Sequence, residues 1–312
     1  MIVVTDDARC AEEPLHMSTS DTPLFPGFEA RRIAGPGAEI RLRIGGSGPP
    51  LLLLHGYPQT HAMWHRIAPR LAERFTVVCT DLTGYGDSAK PEGGERHVNY
   101  SKRAMAADQV AVMRALGFSR FMLAGHDRGA RVAHRLCLDH PDAVERVAVL
   151  DISPTRIMYG RTDKAFASAY YHWFFLIQPF DLPERLIGAD PVYYLRRKIG
   201  AWSGGINHFD PRALAEYERC FANPATIHAT CEDYRAAAGI DLEHDAADEH
   251  ARIECPLLAL WGDKGVVHRL FDPIADWESV AVDVRGHALP CGHFLAEEAP
   301  EPTLEEFLKF FG

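Results

Sequence analysis

Asp127 stands at the centre of Gly125-His126-Asp127-Arg128-Gly129. An apolar run, Phe121 to Ala124, precedes it, and a helical pattern starts at Ala130. A strand, a sharp turn and a helix in that order form a nucleophile elbow, which lifts one side chain above a parallel sheet. Glycines suit the flanking places because a side chain there would meet the neighbouring strand and helix. Most such elbows carry Ser at the centre. An Asp cannot be the nucleophile of a protease or an ordinary esterase. It can displace a leaving group from a saturated carbon, giving an aspartyl ester that water must open. The predicted chemistry is therefore alkyl transfer rather than acyl transfer.

Such an ester needs a base and an acid to orient it. Asp127, Asp151 and His293 follow the chain order nucleophile, acid, base of the α/β-hydrolase fold. Each stands just past a predicted strand, where open sheets place their ligands. The chain has 16 His, so one His is usually incidental. His293 is singled out by its loop, Leu289-Pro290-Cys291-Gly292-His293-Phe294, ahead of the final helix. His287 competes less well, because it directly follows a predicted strand. Asp263 is the rival acid, but it comes early in its loop, where Gly265 holds the usual place. The plain alternative for Asp151 is a helix cap or turn near Ser153. Backbone amides of Tyr57, after His55-Gly56, and of Arg128 are placed to face an oxyanion.

Arg128 follows the nucleophile directly, and Arg131 lies three residues on, on the same face of the first helical turn. Two guanidiniums turned to one pocket suit a small carboxylate. The plain alternative is that Arg131 pairs with a surface acid.

The elements around these residues alternate. Phe28 to Ile33 and Ile40 to Ile44 read as an antiparallel edge pair about the Gly35-Pro36-Gly37 turn. Leu51 to Leu54 suits a strand covered on both faces. A helix is predicted over Met63 to Phe75, a strand over Val77 to Thr80, and a glycine-rich loop over Asp81 to Ser88. Tyr100 to Leu116 is an amphipathic helix that leads into the elbow strand. Val147 to Leu150, Pro256 to Gly262 and Ser279 to Val284 are further strands, and Pro302 to Phe310 a last helix. Strands alternating with helices imply a mostly parallel central sheet. Between them, residues 154–247 lose strand signals and gather aromatics, as an inserted helical cap of domain size would. The expected organisation is a disordered or weakly ordered leader at 1–25, an α/β core at 26–153 and 248–312, and the cap at 154–247.

Bulk properties narrow the partners. The 312 residues are 47% hydrophobic, enough for one large α/β domain with an insertion. A net charge of −10 disfavours nucleic acid, so an anionic substrate must be drawn in by local positive charge. The seven Cys are scattered without C-x-x-C spacing, and Cys79 and Cys137 sit in apolar patterns, which suits reduced thiols and a cytoplasmic protein. No apolar run reaches membrane-spanning length, and the first residues do not read as a signal peptide.

Five segments together resemble the fluoroacetate (haloacetate) dehalogenases. They are Gly125-His-Asp-Arg-Gly-Ala-Arg131, His55-Gly-Tyr-Pro-Gln-Thr60, Tyr171-His-Trp-Phe174, Glu232-Asp-Tyr-Arg235 and Gly292-His-Phe-Leu-Ala-Glu297. The likeness spans about residues 25 to 311. Thr83 departs from it, since relatives often carry Arg in that loop. The resemblance implies hydrolysis of short 2-haloacids, fluoroacetate or haloacetate giving glycolate and halide, with water as co-substrate and no metal or organic cofactor. It assigns the substrate carboxylate to Arg128 and Arg131. It assigns the halide to His172, Trp173 and Tyr234, which on their own read as an aromatic cap core. It also implies a homodimer. The competing expectations are an epoxide hydrolase or haloalkane dehalogenase of the same fold, neither with a use for Arg128, and a non-catalytic binding protein.

Overall fold

The structure is a computed structural model that describes residues 23–312. The expected leader, residues 1–25, lies outside the described residues but for its last three. Of those, Phe25 is buried, its ring 5.5 Å from both Phe28 and His61.

Eight strands form one sheet in the order β1-β2-β4-β3-β5-β6-β7-β8. They are β1 (Glu29–Ala34), β2 (Glu39–Gly45), β3 (Pro50–Leu54), β4 (Thr76–Thr80), β5 (Phe121–His126), β6 (Val144–Leu150), β7 (Leu257–Gly262) and β8 (Val284–Leu289). The pairings β1/β2 and β2/β4 are antiparallel and all others parallel. The predicted edge pair is thus real, and its outermost strand keeps its charges in water, with Arg31 on Glu29 and Arg32 on Glu39. Charges on an edge discourage pairing with a second chain. Leu51 to Leu54 are fully buried at the centre of the sheet. Each contributes about 1.5–3 kcal/mol by leaving water.

Two local expectations fail. The helix predicted over Met63 to Phe75 is instead a 3-10 turn, His61–Trp64, and a short helix, Ala68–Leu71. Pro69 has no N–H to bond back with, so the helix cannot run through it. The strand predicted over Ser279 to Val284 starts only at Val284. The amides of Ser279 and Val280 still bond back to Ala275 and Trp277, closing the helix Pro273–Glu278. His287 therefore lies inside β8 rather than after it.

Thr83, the odd residue of the glycine-rich loop, is well satisfied. Its hydroxyl donates to Asp108 Oδ2 at 2.7 Å, while Asp108 Oδ1 accepts from the amides of Gly37 and Ala38 at 2.7 and 3.2 Å. One carboxylate on the helix Lys102–Ala115 thus fastens the loop and the edge hairpin.

From Thr155 to Ala247 the described chain is helical, and these helices cover the carboxyl ends of the parallel strands. Several backbone and side-chain bonds tie them to the sheet side. The amide of His293 donates to the carbonyl of Trp202 at 2.8 Å, and the hydroxyl of Tyr217 to Glu297 at 3.0 Å.

Candidate active site

Asp127 directly follows β5 and has φ 47° and ψ −111°, a conformation L side chains rarely adopt. Non-glycine residues held there cost about 1–3 kcal/mol and persist only where the surroundings enforce them. Enforcement comes from the glycines. A Cβ on Gly129 would stand 2.4 Å from the carbonyl of His55, and one on Gly125 2.5 Å from that of Gly129. The strained turn points the carboxylate away from the sheet, and its Oδ1 accepts the amide of Tyr57 at 2.9 Å. The helix Arg128–Asp139 begins immediately after, so its positive end also faces the carboxylate. Burial pushes the Asp127 pKa up, but His293 and the guanidiniums of Arg131 and Arg128 outweigh it and hold the group below its ordinary value. Asp127 is thus a buried carboxylate kept ionised.

Asp151 follows β6, also at positive φ, 50°. Its Oδ2 accepts from His293 Nδ1 at 2.6 Å and its Oδ1 from the amide of Gly262 at 2.9 Å. Asp263, the rival acid, is exposed. A Cβ on Gly265 would lie 3.3 Å from Asp151 Oδ1, so the two loop positions available for an acid converge on one place. Burial lowers the basicity of His293, but the bond to Asp151 and the charges of Asp151 and Asp127 reverse that, and its pKa is raised. The loop that carries His293 is held by Trp202 and by His126, whose Nε2 donates to the His293 carbonyl at 2.8 Å. Burial drives the His126 pKa down to about 3, so it stays a neutral prop.

The two arginines differ. Arg128 is fully buried and gives Nε and Nη2 to the carboxylate of Asp233 at 2.8 and 2.7 Å, leaving Nη1 without a partner. Arg131 has only neutral partners: Thr155 Oγ1 at 2.8 Å, the Ser153 carbonyl at 3.3 Å and Met158 Sδ at 3.2 Å. Its Nε is unpartnered and buried. Each guanidinium lies over a ring, Arg128 4.2 Å from the centroid of Tyr234 and Arg131 4.7 Å from that of Trp173.

Those rings belong to the predicted halide site. His172, Trp173 and Tyr234 are all buried, with Tyr234 5.5 Å from His172 and 6.5 Å from Trp173 between centroids. His172 Nδ1 and the Tyr234 hydroxyl have no hydrogen-bond partner. Burial keeps His172 neutral and the Tyr234 phenol protonated. Buried polar atoms are normally bonded, so unbonded ones on packed rings, with Tyr234 in the field of Asp127, suit a place for a ligand. Among the described residues no three His, Cys, Asp or Glu side chains converge as metal ligands.

Three contributors escaped the sequence reading. Asp233 neutralises Arg128 and is itself bound by Lys102 and by the Tyr85 hydroxyl. Its segment was visible in the resemblance, but nothing local marks an acid whose partner lies 105 positions away. Trp202 packs 4.5 Å from His172 and 5.6 Å from His293, and Tyr170 5.3 Å from His172.

The model of the α/β hydrolase fold matches residues 49–298. A fluoroacetate dehalogenase from Burkholderia sp. is 48% identical over 289 residues, 91% of this chain and 95% of that protein. A soluble epoxide hydrolase from Corynebacterium sp. (strain C12) is 37% identical, covering 85% of this chain and 91% of its own. A crystal structure from Nostoc sp. PCC 7120, described as an α/β hydrolase, superposes with a TM-score of 0.90 at 60% identity, over 91% of this chain and 98% of that one. The chain belongs to the α/β-hydrolase family, and within it to the group that includes the fluoroacetate dehalogenase.

Proposed function

We propose that the chain hydrolyses the carbon–halogen bond of short 2-haloacids through an ester on Asp127. The observation that carries this reading is Arg131, a buried, permanently charged guanidinium with neutral partners and a free Nε. An unpaired buried charge is costly, and an anionic ligand relieves the cost. A neutral epoxide or haloalkane would leave it unrelieved.

The substrate carboxylate binds the free edges of Arg131 and Arg128. Asp127 attacks the α-carbon; the carbon–halogen bond breaks, and the halide leaves with its electron pair toward His172, Trp173 and Tyr234. Neutral N–H and O–H donors there stabilise the charge as it develops. The glycolate ester is then opened by water. His293, oriented by Asp151, takes the water proton as the oxygen attacks the carboxyl carbon of Asp127. The amide of Tyr57, already on Oδ1, holds the oxyanion together with that of Arg128. Collapse frees glycolate, with His293 returning the proton to the leaving oxygen. No metal or organic cofactor enters this scheme.

The cap carries exposed Phe180, Leu182, Leu186 and Tyr193, which favours a homodimer formed there. A cytoplasmic site of action fits the six described cysteines, all free thiols. Among the described residues no helix is long and apolar enough to cross a membrane.

Ion-selective measurement of halide released from fluoroacetate, chloroacetate and 2-chloropropionate, beside diol formation from a neutral epoxide, tests the function. Halide release without epoxide opening is the expected result. Epoxide opening alone would replace this reading with that of an epoxide hydrolase.

A further inference from the structure

A cavity away from Asp127 is lined on one side by Trp202. It has a volume of about 250 Å³ and opens between the helices Lys164–Ala169, Pro191–Trp202 and Val266–Leu270. Three cations line it, Arg197, Lys198 and Arg269, and no carboxylate does. In a chain of net charge −10 such a concentration of one sign is not a by-product of composition.

Lys198 is its centre. The residue is 3% exposed and among the described residues has no ion pair. Its ammonium lies 3.3 Å from the ring centroid of Tyr171 and 5.4 Å from that of Trp202. Aromatic faces stabilise a cation by less than the loss of hydration on burial costs it. The imbalance shows in its pKa, which burial lowers to about 7. A cation held this way lacks a counter-ion.

The cavity also adjoins the reaction chamber. Trp202 lines it and packs on His172 and His293. Tyr171, beside Lys198, directly precedes His172, and the Lys198 charge already acts on the His172 imidazole. A small anion resting on Lys198 would be one side chain away from the halide pocket.

We propose that this cavity is an anteroom for a small monovalent anion, held by Lys198 with Arg197 and Arg269 beside it. The anion is either the 2-haloacid carboxylate on its way in or the halide on its way out. The choice of anion rests on the function proposed above; the presence of an anion site does not.

Crystals soaked in sodium bromide test the site itself. Anomalous scattering is expected beside Lys198 Nζ in the wild-type protein and in Lys198→Arg, and is expected to vanish in Lys198→Met. Circular dichroism checks that each variant is folded. Kinetics then separate the two sources. If the acid enters this way, Lys198→Met raises the KM for chloroacetate roughly three- to tenfold at low salt with kcat unchanged, the effect fades at high salt, and Lys198→Arg restores it. If the halide leaves this way, bromide inhibition of turnover weakens in Lys198→Met while KM stays. Absence of bromide at Lys198 overturns the proposal. So does bromide bound there with both constants unchanged, which would mark an adventitious ion only. Should the wild type release no halide from any haloacid, the function falls, and the bromide soak still decides whether the cations form a site.

Discussion

Asp233 accepts both Nε and Nη2 of Arg128, at 2.8 and 2.7 Å, so most of the Arg128 charge beside Asp127 is already matched by the protein. Arg128 is thereby a fixed wall of the chamber with one free N–H edge. Arg131 is the cation with no acid bonded to it, and only the field of Asp127 offsets its charge. This division decides how the two arginines respond to substitution.

Asp233→Asn is expected to weaken the fold, because it strands Arg128 and Lys102 in a buried place with one fewer anion. Breaking such a pair from one side costs about 3–5 kcal/mol. Urea unfolding measures it. A loss under about 1 kcal/mol would show that water or another acid reaches Arg128 and that the pairing is dispensable.

Arg131→Leu is expected to act on binding rather than on folding. Charge-assisted bonds to a carboxylate contribute about 1.5–3 kcal/mol, or roughly ten- to a hundredfold in the KM for chloroacetate. The fold should hold or gain, since a buried cation without an acid partner is removed. An unchanged KM would take Arg131 out of the substrate site.

On the proposed mechanism His293→Asn removes the base for the second step and leaves the first intact. Incubation with chloroacetate is expected to leave the ester on Asp127, seen by mass spectrometry as added mass on the peptide that holds the elbow. In the wild type, turnover in ¹⁸O-water is expected to place label in the Asp127 carboxylate. Unlabelled Asp127 with labelled glycolate would mean that water attacks the substrate directly.

The pKa of His293 offers a test that needs no substrate. It is raised in the free protein, and the charge of Asp127 is one cause. Asp127→Asn removes that charge, so the imidazole should titrate at lower pH than in the wild type, as NMR can follow. The same change happens when Asp127 is esterified. Ester hydrolysis requires the neutral imidazole, so its rate falls as pH drops through the His293 pKa of the ester state. That acid limb should lie below the titration of the free protein.

Tyr234→Phe should separate fluoride from the heavier halides. The phenol is protonated, buried and unpartnered, a donor held in reserve. Fluoride, small and hard, depends most on such a donor. A loss of roughly tenfold or more in fluoroacetate turnover is expected, and about threefold or less for bromoacetate. Equal losses would reduce Tyr234 to a packing role.

Much of the fold could be read because its signals are local. Gly125 and Gly129 announce the elbow through backbone collisions that no side chain survives. Four leucines in a row announce a central strand. Asp127, Asp151 and His293 could be picked out by their order after strands, and the structure brings them to one place. What could not be read depends on distant partners or on competition between elements. Pro69 divides a segment whose apolar spacing still looks helical. The amides of Ser279 and Val280 finish a helix before β8 can begin. The bond from Arg128 to Asp233 and the aromatic setting of Lys198 exist only once helices far apart in the chain are packed together.

The bond from the His293 amide to the Trp202 carbonyl has a consequence for which molecules can react. In the proposed mechanism the base is propped from two sides, by Trp202 of the helical insertion and by His126 of the core, so a ligand bulky enough to wedge that insertion off the sheet would remove one of its two supports. On that mechanism an oversized acid would loosen the base as well as strain the roof, and acids that fit beneath an undisturbed roof would turn over best.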